Sequence, residues 1–229
     1  MKIRWQSGFS LIEVAVVLVI MGLFIAGLLG PLGNRLEQAK IGQATNDLED
    51  IKDAILGFAI INGHPPCPDT DGDGLENTVG NNCANVNAGI ASGALPSANL
   101  GVTAIDPWGN TYLYAVNNDF ADRIDGTGGC SGATTTGVSF EICSVGSMNI
   151  YEDNTLAVFV AQSVPIVILS QGKTRLPLPA DEAENNNNDI NFVSRDYRPD
   201  SSPVPFNDIV SWISTNELVG KMVQAQRLP

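Results

Sequence analysis

The 229 residues carry 12 Lys and Arg against 25 Asp and Glu, a net charge of −13, so the chain as a whole repels phosphate and nucleic acid is not expected as a partner. That length allows one globular domain beside a membrane or fibre element. No GxSxG, no HExxH and no phosphate-cradling glycine loop occurs, and the single histidine, His64, is wedged against Pro65 and Pro66, so the chain is not expected to be an enzyme.

In chain order, residues 1–8 place Lys2 and Arg4 ahead of the apolar run FSLIEVAVVLVIMGLFIAGLLGPL at 9–32. At about 1.5 Å per residue, this run can cross a ~30 Å hydrocarbon layer as a helix. The positive-inside rule then leaves the N-terminus in the cytoplasm and sends the rest of the chain across. A cleavable secretory signal would have a shorter core and an A-x-A site, and no such site follows Pro31. Glu13 lies within the run, where a carboxylate costs about 2.5 to 3.5 kcal/mol and so needs a partner. A terminal ammonium created by cutting before Phe9 would supply one.

Lys2, Arg4 and the string Gly8-Phe9-Ser10-Leu11-Ile12-Glu13 resemble the leader junction of type IV prepilins and pseudopilins. The resemblance implies cleavage by a prepilin peptidase after Gly8, methylation of the new terminal residue Phe9, and recruitment of subunits through Glu13. It also implies partners: copies of itself, other pilin-like subunits and an inner-membrane assembly platform served by a cytoplasmic ATPase. The expected location is the bacterial inner membrane, with the N-terminus cytoplasmic and the head periplasmic, and then a filament in the periplasm or at the cell surface. Physical chemistry agrees with these roles. Gly8 has no Cβ to crowd the scissile bond, and Glu13 paired with a neighbour's amine in lipid would fix the stagger of one helix against the next.

Beyond the run, Ile41, Ala44, Leu48, Ile51, Ile55 and Phe58 recur at helical spacing, with Asp47, Glu49, Asp50 and Lys52 on the other side. Residues 33–62 therefore read as an amphipathic continuation of the stem, roughly 80 Å in all from Phe9 to Asn62. Pro31, among Gly27, Gly30 and Gly33, predicts a kink or a locally melted turn. Asn62-Gly63 followed by His64-Pro65-Pro66 predicts the stop.

Residues 63–229 read as the head. Runs at 112–116, 138–145, 156–160 and 165–169 predict strands whose gaps are too short for crossover helices. Ser214 and Glu217 form a capping-box pattern ahead of Leu218, Met222 and Val223, predicting a final helix. The fold class expected is α+β, the pilin fold: a long N-terminal helical stem packed against an antiparallel sheet, with a short C-terminal helix. Asp106-Pro107-Trp108-Gly109-Asn110 with Tyr112 and Tyr114 resembles the loop-then-strand of the major pseudopilins of type II secretion, as does Leu169-Ser170-Gln171-Gly172-Lys173. The tail from Phe192 to Tyr197 and from Phe206 to Ile213 resembles bacterial pilin-like proteins with large heads.

Four cysteines allow three pairings, and Cys67 with Cys83 and Cys130 with Cys143 close the shortest loops, placing the head in an oxidising compartment. Zinc is the alternative, with no CxxC and one histidine against it. Asp69, Asp71 and Asp73 stand at alternate positions with Gly72 and Gly74 between and after them, the first half of a calcium loop, with Glu76 or a backbone carbonyl to complete the shell. A solvated acidic turn is the other reading. The acidic, Asn-rich stretch 181–200 offers a second ion site or, the favoured reading, a disordered or mobile loop. The function expected is a structural subunit, a pilin, minor pilin or pseudopilin of a type IV pilus or type II secretion pseudopilus. The second expectation is a scarce tip module that binds an adhesion target, DNA or a secreted substrate.

Overall fold

The computed structural model describes residues 10–123, 137–173 and 176–228. It divides into two compact units, Met1–Lys40 and Ile41–Pro229. One helix, α1 (Leu11–Asn62), contributes to both.

In the first unit, α1 opens on a reciprocal cap. The Glu13 amide donates to Ser10 Oγ at 3.3 Å, and the Ser10 amide donates to Glu13 Oε2 at 3.4 Å. Two of the four donors that a helix start leaves unpaired are thereby used. The backbone stays helical through Pro31, so the predicted melted turn does not form. A missing proline donor removes one rung, and the turns on either side hold the ladder. Apolar side chains from Leu11 to Ile25 lie exposed. Among the described residues no helix is long and apolar enough to cross a membrane. The described side chains of the run stop at Ile25, short of the span predicted for 9–32.

In the second unit, the predicted face of α1 is the spine of the core. Ala44, Leu48, Ile51 and Ile55 are buried, joined by Leu56 and Ala59, while Ile41 and Phe58 are half-buried. The helix ends as expected: Gly63 has φ +85 and its amide returns to the Ala59 carbonyl at 2.8 Å. A Cβ there would lie 1.9 Å from the Gly137 carbonyl oxygen, so glycine is required by space as well as by φ.

The chain after α1 forms β1 (Thr78–Val79), β2 (Asn82–Cys83), β3 (Val86–Asn87), β4 (Ile90–Ala94), α2 (Ser97–Leu100), β5 (Leu113–Asn117) and α3 (Asn118–Ala121). There follow β6 (Met148–Tyr151), β7 (Phe159–Val164), β8 (Ile166–Ser170), α4 (Ala180–Glu184), β9 (Asn191–Val193), β10 (Ile209–Ile213) and α5 (Thr215–Gln224). The main sheet runs β10-β8-β5-β4-β3, antiparallel throughout. Alternation along its central strands sends side chains to two separate cores. Tyr114, Val116, Ile166 and Ile168 pack with α1 and α5. Ala115, Val167 and Leu169 pack instead with Met148, Ile150 and Phe192 of a second sheet, β7-β6-β9. Strand β8 is therefore buried along its whole length, as a strand covered on both faces must be.

Three sequence expectations need correction. Val138–Val145 is a loop in which Ser144 Oγ accepts the Glu141 amide at 2.8 Å and the Ser144 amide donates to the Glu141 carbonyl at 3.0 Å. Local side-chain bonds there replace a ladder. The strand predicted at 156–160 starts at Phe159, because Leu156 closes the turn begun by Asp153 with φ +55. The 181–200 stretch is built into the head: Asp181 and Glu182 are buried, Asp181 is ion-paired with Arg195, and Asn185 exchanges hydrogen bonds with Val193 at 2.7 and 3.1 Å. Within this stretch β9 pairs parallel to β6, beside the antiparallel main sheet that was expected. At the C-terminal helix the Ser214 hydroxyl accepts the Glu217 amide at 3.2 Å, with Leu218 and Met222 buried and Val223 exposed.

Candidate functional site

The N-terminal motif is the first candidate. Gly8 and Phe9 lie outside the described residues, while Glu13 faces outward at the start of α1 and is engaged by Ser10. An isolated helix start thus keeps this carboxylate on its own backbone, available for exchange with another donor.

The acidic loop is the second. Asp69, Asp71 and Asp73 each bring a carboxylate oxygen to within 4.8 Å of the others. Gly72 and Gly74, at φ +86 and +82, fold the loop back on Asp69. Asp69 Oδ1 accepts the Asp71 and Gly72 amides at 3.1 and 2.7 Å, and its Oδ2 accepts the Gly74 amide at 2.7 Å. Burial pushes the Asp69 carboxyl up, but the amides of Gly72, Gly74 and Asp71 together outweigh it and hold the group below its ordinary value. This loop stability is present above the unfolded carboxylate range and is lost as pH falls through the lowered pKa. Glu76 is used elsewhere: it accepts the Cys67 amide at 3.2 Å and is ion-paired with Arg123. Sequence reasoning missed Asn77, whose Oδ1 accepts the Thr70 amide at 2.6 Å and whose Nδ2 donates to Asp71 at 3.3 Å. The Cys67–Cys83 disulfide forms as expected, closing the base of this region. The second predicted pair needs Cys130, which lies outside the described residues.

The two head motifs meet. Asp106 is buried, and its Oδ1 accepts the amides of Trp108 and Asn110 at 3.0 and 2.8 Å, while its Oδ2 accepts the Ser170 hydroxyl at 2.6 Å. Asn110 Nδ2 donates to the Gly172 carbonyl at 2.6 Å. Gly172 has φ +52, and a Cβ there would lie 2.2 Å from the Asn207 carbonyl oxygen. One carboxylate therefore ties the loop before β5 to the turn after β8. Beside it, the Tyr112 hydroxyl donates to Asp47 on α1 at 3.1 Å. Burial, reinforced by the Asp47 charge, pushes that phenol well above its ordinary value, so it stays a donor at every physiological pH. Asp47 is thus part of the helix–sheet contact, although its place in the sequence pattern put it on the solvent side. His64 makes an edge contact with the Phe58 ring, 5.9 Å between centroids, and its Nδ1 lies 2.8 Å from the Pro65 carbonyl oxygen.

An N-terminal helix that starts among exposed apolar residues with a capped Glu13, followed by an antiparallel sheet and a C-terminal helix, has the α+β order of the pilin fold. The family model for the prokaryotic N-terminal methylation motif matches residues 6–29. The type II secretion system core protein G of Pseudomonas aeruginosa is 33% identical over 114 residues, 50% of this chain and 76% of that protein. Its counterpart in Escherichia coli is 34% identical over 115 residues, 47% of this chain and 70% of the relative. The Vibrio cholerae protein is 30% identical over 119 residues, 52% and 76% respectively. No solved structure matches significantly. The chain belongs to the pseudopilin family of type II secretion core protein G, within the type IV pilin class, and is a structural subunit of that kind.

Proposed function

We propose that this subunit assembles with copies of itself and other pilin-like subunits into a secretion pseudopilus, anchored in the inner membrane by its N-terminal run before assembly. The methylation motif at 6–29 carries this reading, because it combines Gly8, Phe9 and Glu13 with the apolar run that follows. In it, a prepilin peptidase cuts after Gly8 and methylates Phe9, an assembly platform lifts the processed helix out of the membrane, and the head stays on the periplasmic side. The role is structural and not enzymatic. The supporting relatives are named as type II secretion core proteins, which favours a secretion filament over a pilus.

The cut is expected to depend on the small residue before it. In cells carrying Gly8→Leu, a gel should show only the precursor; a mature-size band at the normal level would overturn the assignment of Gly8. About half of this chain lies outside the alignment to core protein G, which supports the second reading, a scarce subunit whose enlarged head binds a target. Subunit counting along purified filaments separates the two: a main subunit lines the shaft, and a tip protein does not.

The loop at Asp69, Asp71 and Asp73 takes a calcium ion in this reading. Three oxygens within 4.8 Å suit a hard cation. Each carboxylate has about four lone-pair sites, and the amides that the three accept leave several over. Glu76, held by Cys67 and Arg123, does not join the shell. Calcium at 100 times its dissociation constant is expected to add about 2.7 kcal/mol, a rise of roughly 5–10 °C in melting temperature. An unchanged melting curve after chelation would remove the site.

A further inference from the structure

An Asp or Asn followed by Gly is open to isomerisation through a cyclic imide, because glycine has no Cβ to hinder ring closure. The glycine nitrogen bonds to the Cγ of the residue before it, and the amide proton departs with the leaving group, as water from an aspartate or ammonia from an asparagine. Water then opens the ring at the main-chain carbonyl and leaves an isoaspartate, whose backbone is one methylene longer. Four such junctions occur in the chain. Asp125-Gly126 lies outside the described residues, and Asn62-Gly63, Asp71-Gly72 and Asp73-Gly74 lie within them.

At all three described junctions the glycine amide is already engaged. Gly63 donates to the Ala59 carbonyl at 2.8 Å. Gly72 donates to Asp69 Oδ1 and Gly74 to Asp69 Oδ2, each at 2.7 Å. In the planar imide ring, Cγ takes the place on nitrogen that the hydrogen held, so the ring cannot close while that hydrogen points at another acceptor. We propose that Asp71 and Asp73 are latent isomerisation sites, and that the Asp69 carboxylate keeps both closed by holding the two amides that would attack them.

The same loop creates the hazard and the guard. Gly72 and Gly74 stand at φ +86 and +82, where a residue with a Cβ, slower to cyclise, would be strained. Asp71 Oδ1 accepts the Asp73 amide at 3.4 Å and Asp73 Oδ1 accepts the Leu75 amide at 2.8 Å, which keeps each carboxyl close to its own loop backbone. Asp71, Gly72 and Asp73 are exposed, so exclusion of water does not protect them. Asp69 is buried instead, and its backbone is anchored to Ala94 of β4 by bonds of 3.0 and 2.8 Å. An ionised acceptor in a fixed position holds a donor more firmly than a neutral carbonyl does. This role is independent of whether the loop takes up an ion.

The test ages the full chain in lipid nanodiscs, near neutral pH and with calcium chelated throughout, in water enriched in heavy oxygen. Each passage through the imide leaves one heavy oxygen on the residue, and peptide mapping locates it. Asp69→Ala should raise the rate at Asp71 and Asp73 by about tenfold, the factor carried by one bond to a charged acceptor. Asn62 should stay at the parent rate, because Ala59 still holds the amide after it. Asp69→Asn keeps an oxygen toward Gly72 and turns an amide nitrogen toward Gly74, so it should open Asp73 and leave Asp71 closed. Asn77→Ala removes the bonds to Thr70 and Asp71 without touching either glycine amide, and should stay near the parent. If Asp69→Ala loses its fold, label at Asn62 rises with the others, and the split between Asp71 and Asp73 in Asp69→Asn decides. Three results would overturn the proposal: unchanged rates in both Asp69 variants, a slower rate in Asp69→Ala, which would make the carboxylate a base that activates the amides, or an equal rise in Asp69→Ala and Asn77→Ala.

Discussion

Asp106→Ala should destabilise the head by about 3–5 kcal/mol, because it strips the acceptor from three donors at once. Trp108 and Asn110 would lose the oxygen their amides point to, and the Ser170 hydroxyl would lose its partner, in a site where Asp106 itself is only 4% exposed. A bond to a charged acceptor contributes about 1.5–3 kcal/mol, and donors left buried cost more than donors removed. For a unit of this size the loss corresponds to roughly 8–15 °C in melting temperature. Asp106→Asn keeps one oxygen for the two amides and loses the bond from Ser170, so it should fall between parent and alanine variant. Thermal melting of the three proteins side by side checks the account. An alanine variant melting within a degree or two of the parent would show that the loop before β5 does not depend on this carboxylate.

That same group shows how far the sequence could be read. The motif at Asp106–Asn110 and the one at Leu169–Lys173 were visible separately as resemblances, yet nothing local indicated that a hydroxyl from the second would bond to the carboxylate of the first at 2.6 Å. Features governed by near neighbours were legible. The buried face of α1, the left-handed stop at Gly63 and the Ser214 cap each follow from residues within one or two turns. Features decided by distant partners were not. The Asn-rich stretch after α4 looks solvated by composition, but Asn185 pairs both ways with Val193 and donates to Asp208 at 2.9 Å, building polar residues into the head. The parallel pairing of β6 with β9 joins strands separated by β7, β8 and α4, a distance that alternation along either strand does not encode. At the acidic loop the alternate spacing of the three aspartates accounts for their carboxylates lying together, whereas the partners of Glu76 depend on Arg123, far along the chain.

Glu13→Leu is expected to leave the protein processed and membrane-inserted but to abolish its incorporation into filaments. In the described subunit the Glu13 carboxylate accepts the Ser10 amide at 3.4 Å, a long bond at an exposed helix start. Loss of that bond alone costs about 0.5–2 kcal/mol of helix stability, too little to prevent insertion of so apolar a run. The larger effect is expected in assembly, where the proposed cut before Phe9 gives a neighbouring subunit an amine that competes with the Ser10 amide for the carboxylate. Within lipid a charge left alone is costly, so pairing the two removes a penalty that a bond from a neutral amide offsets only in part. Glu13→Gln separates the two roles, since its amide oxygen still accepts from Ser10 but carries no charge. If the charge sets the stagger, the glutamine variant should assemble at least tenfold less than the parent, close to the leucine variant, when filament and membrane fractions are compared by immunoblot. Normal assembly of the glutamine variant with failure of the leucine variant would assign Glu13 to capping its own helix, and normal assembly of both would remove the residue from assembly altogether.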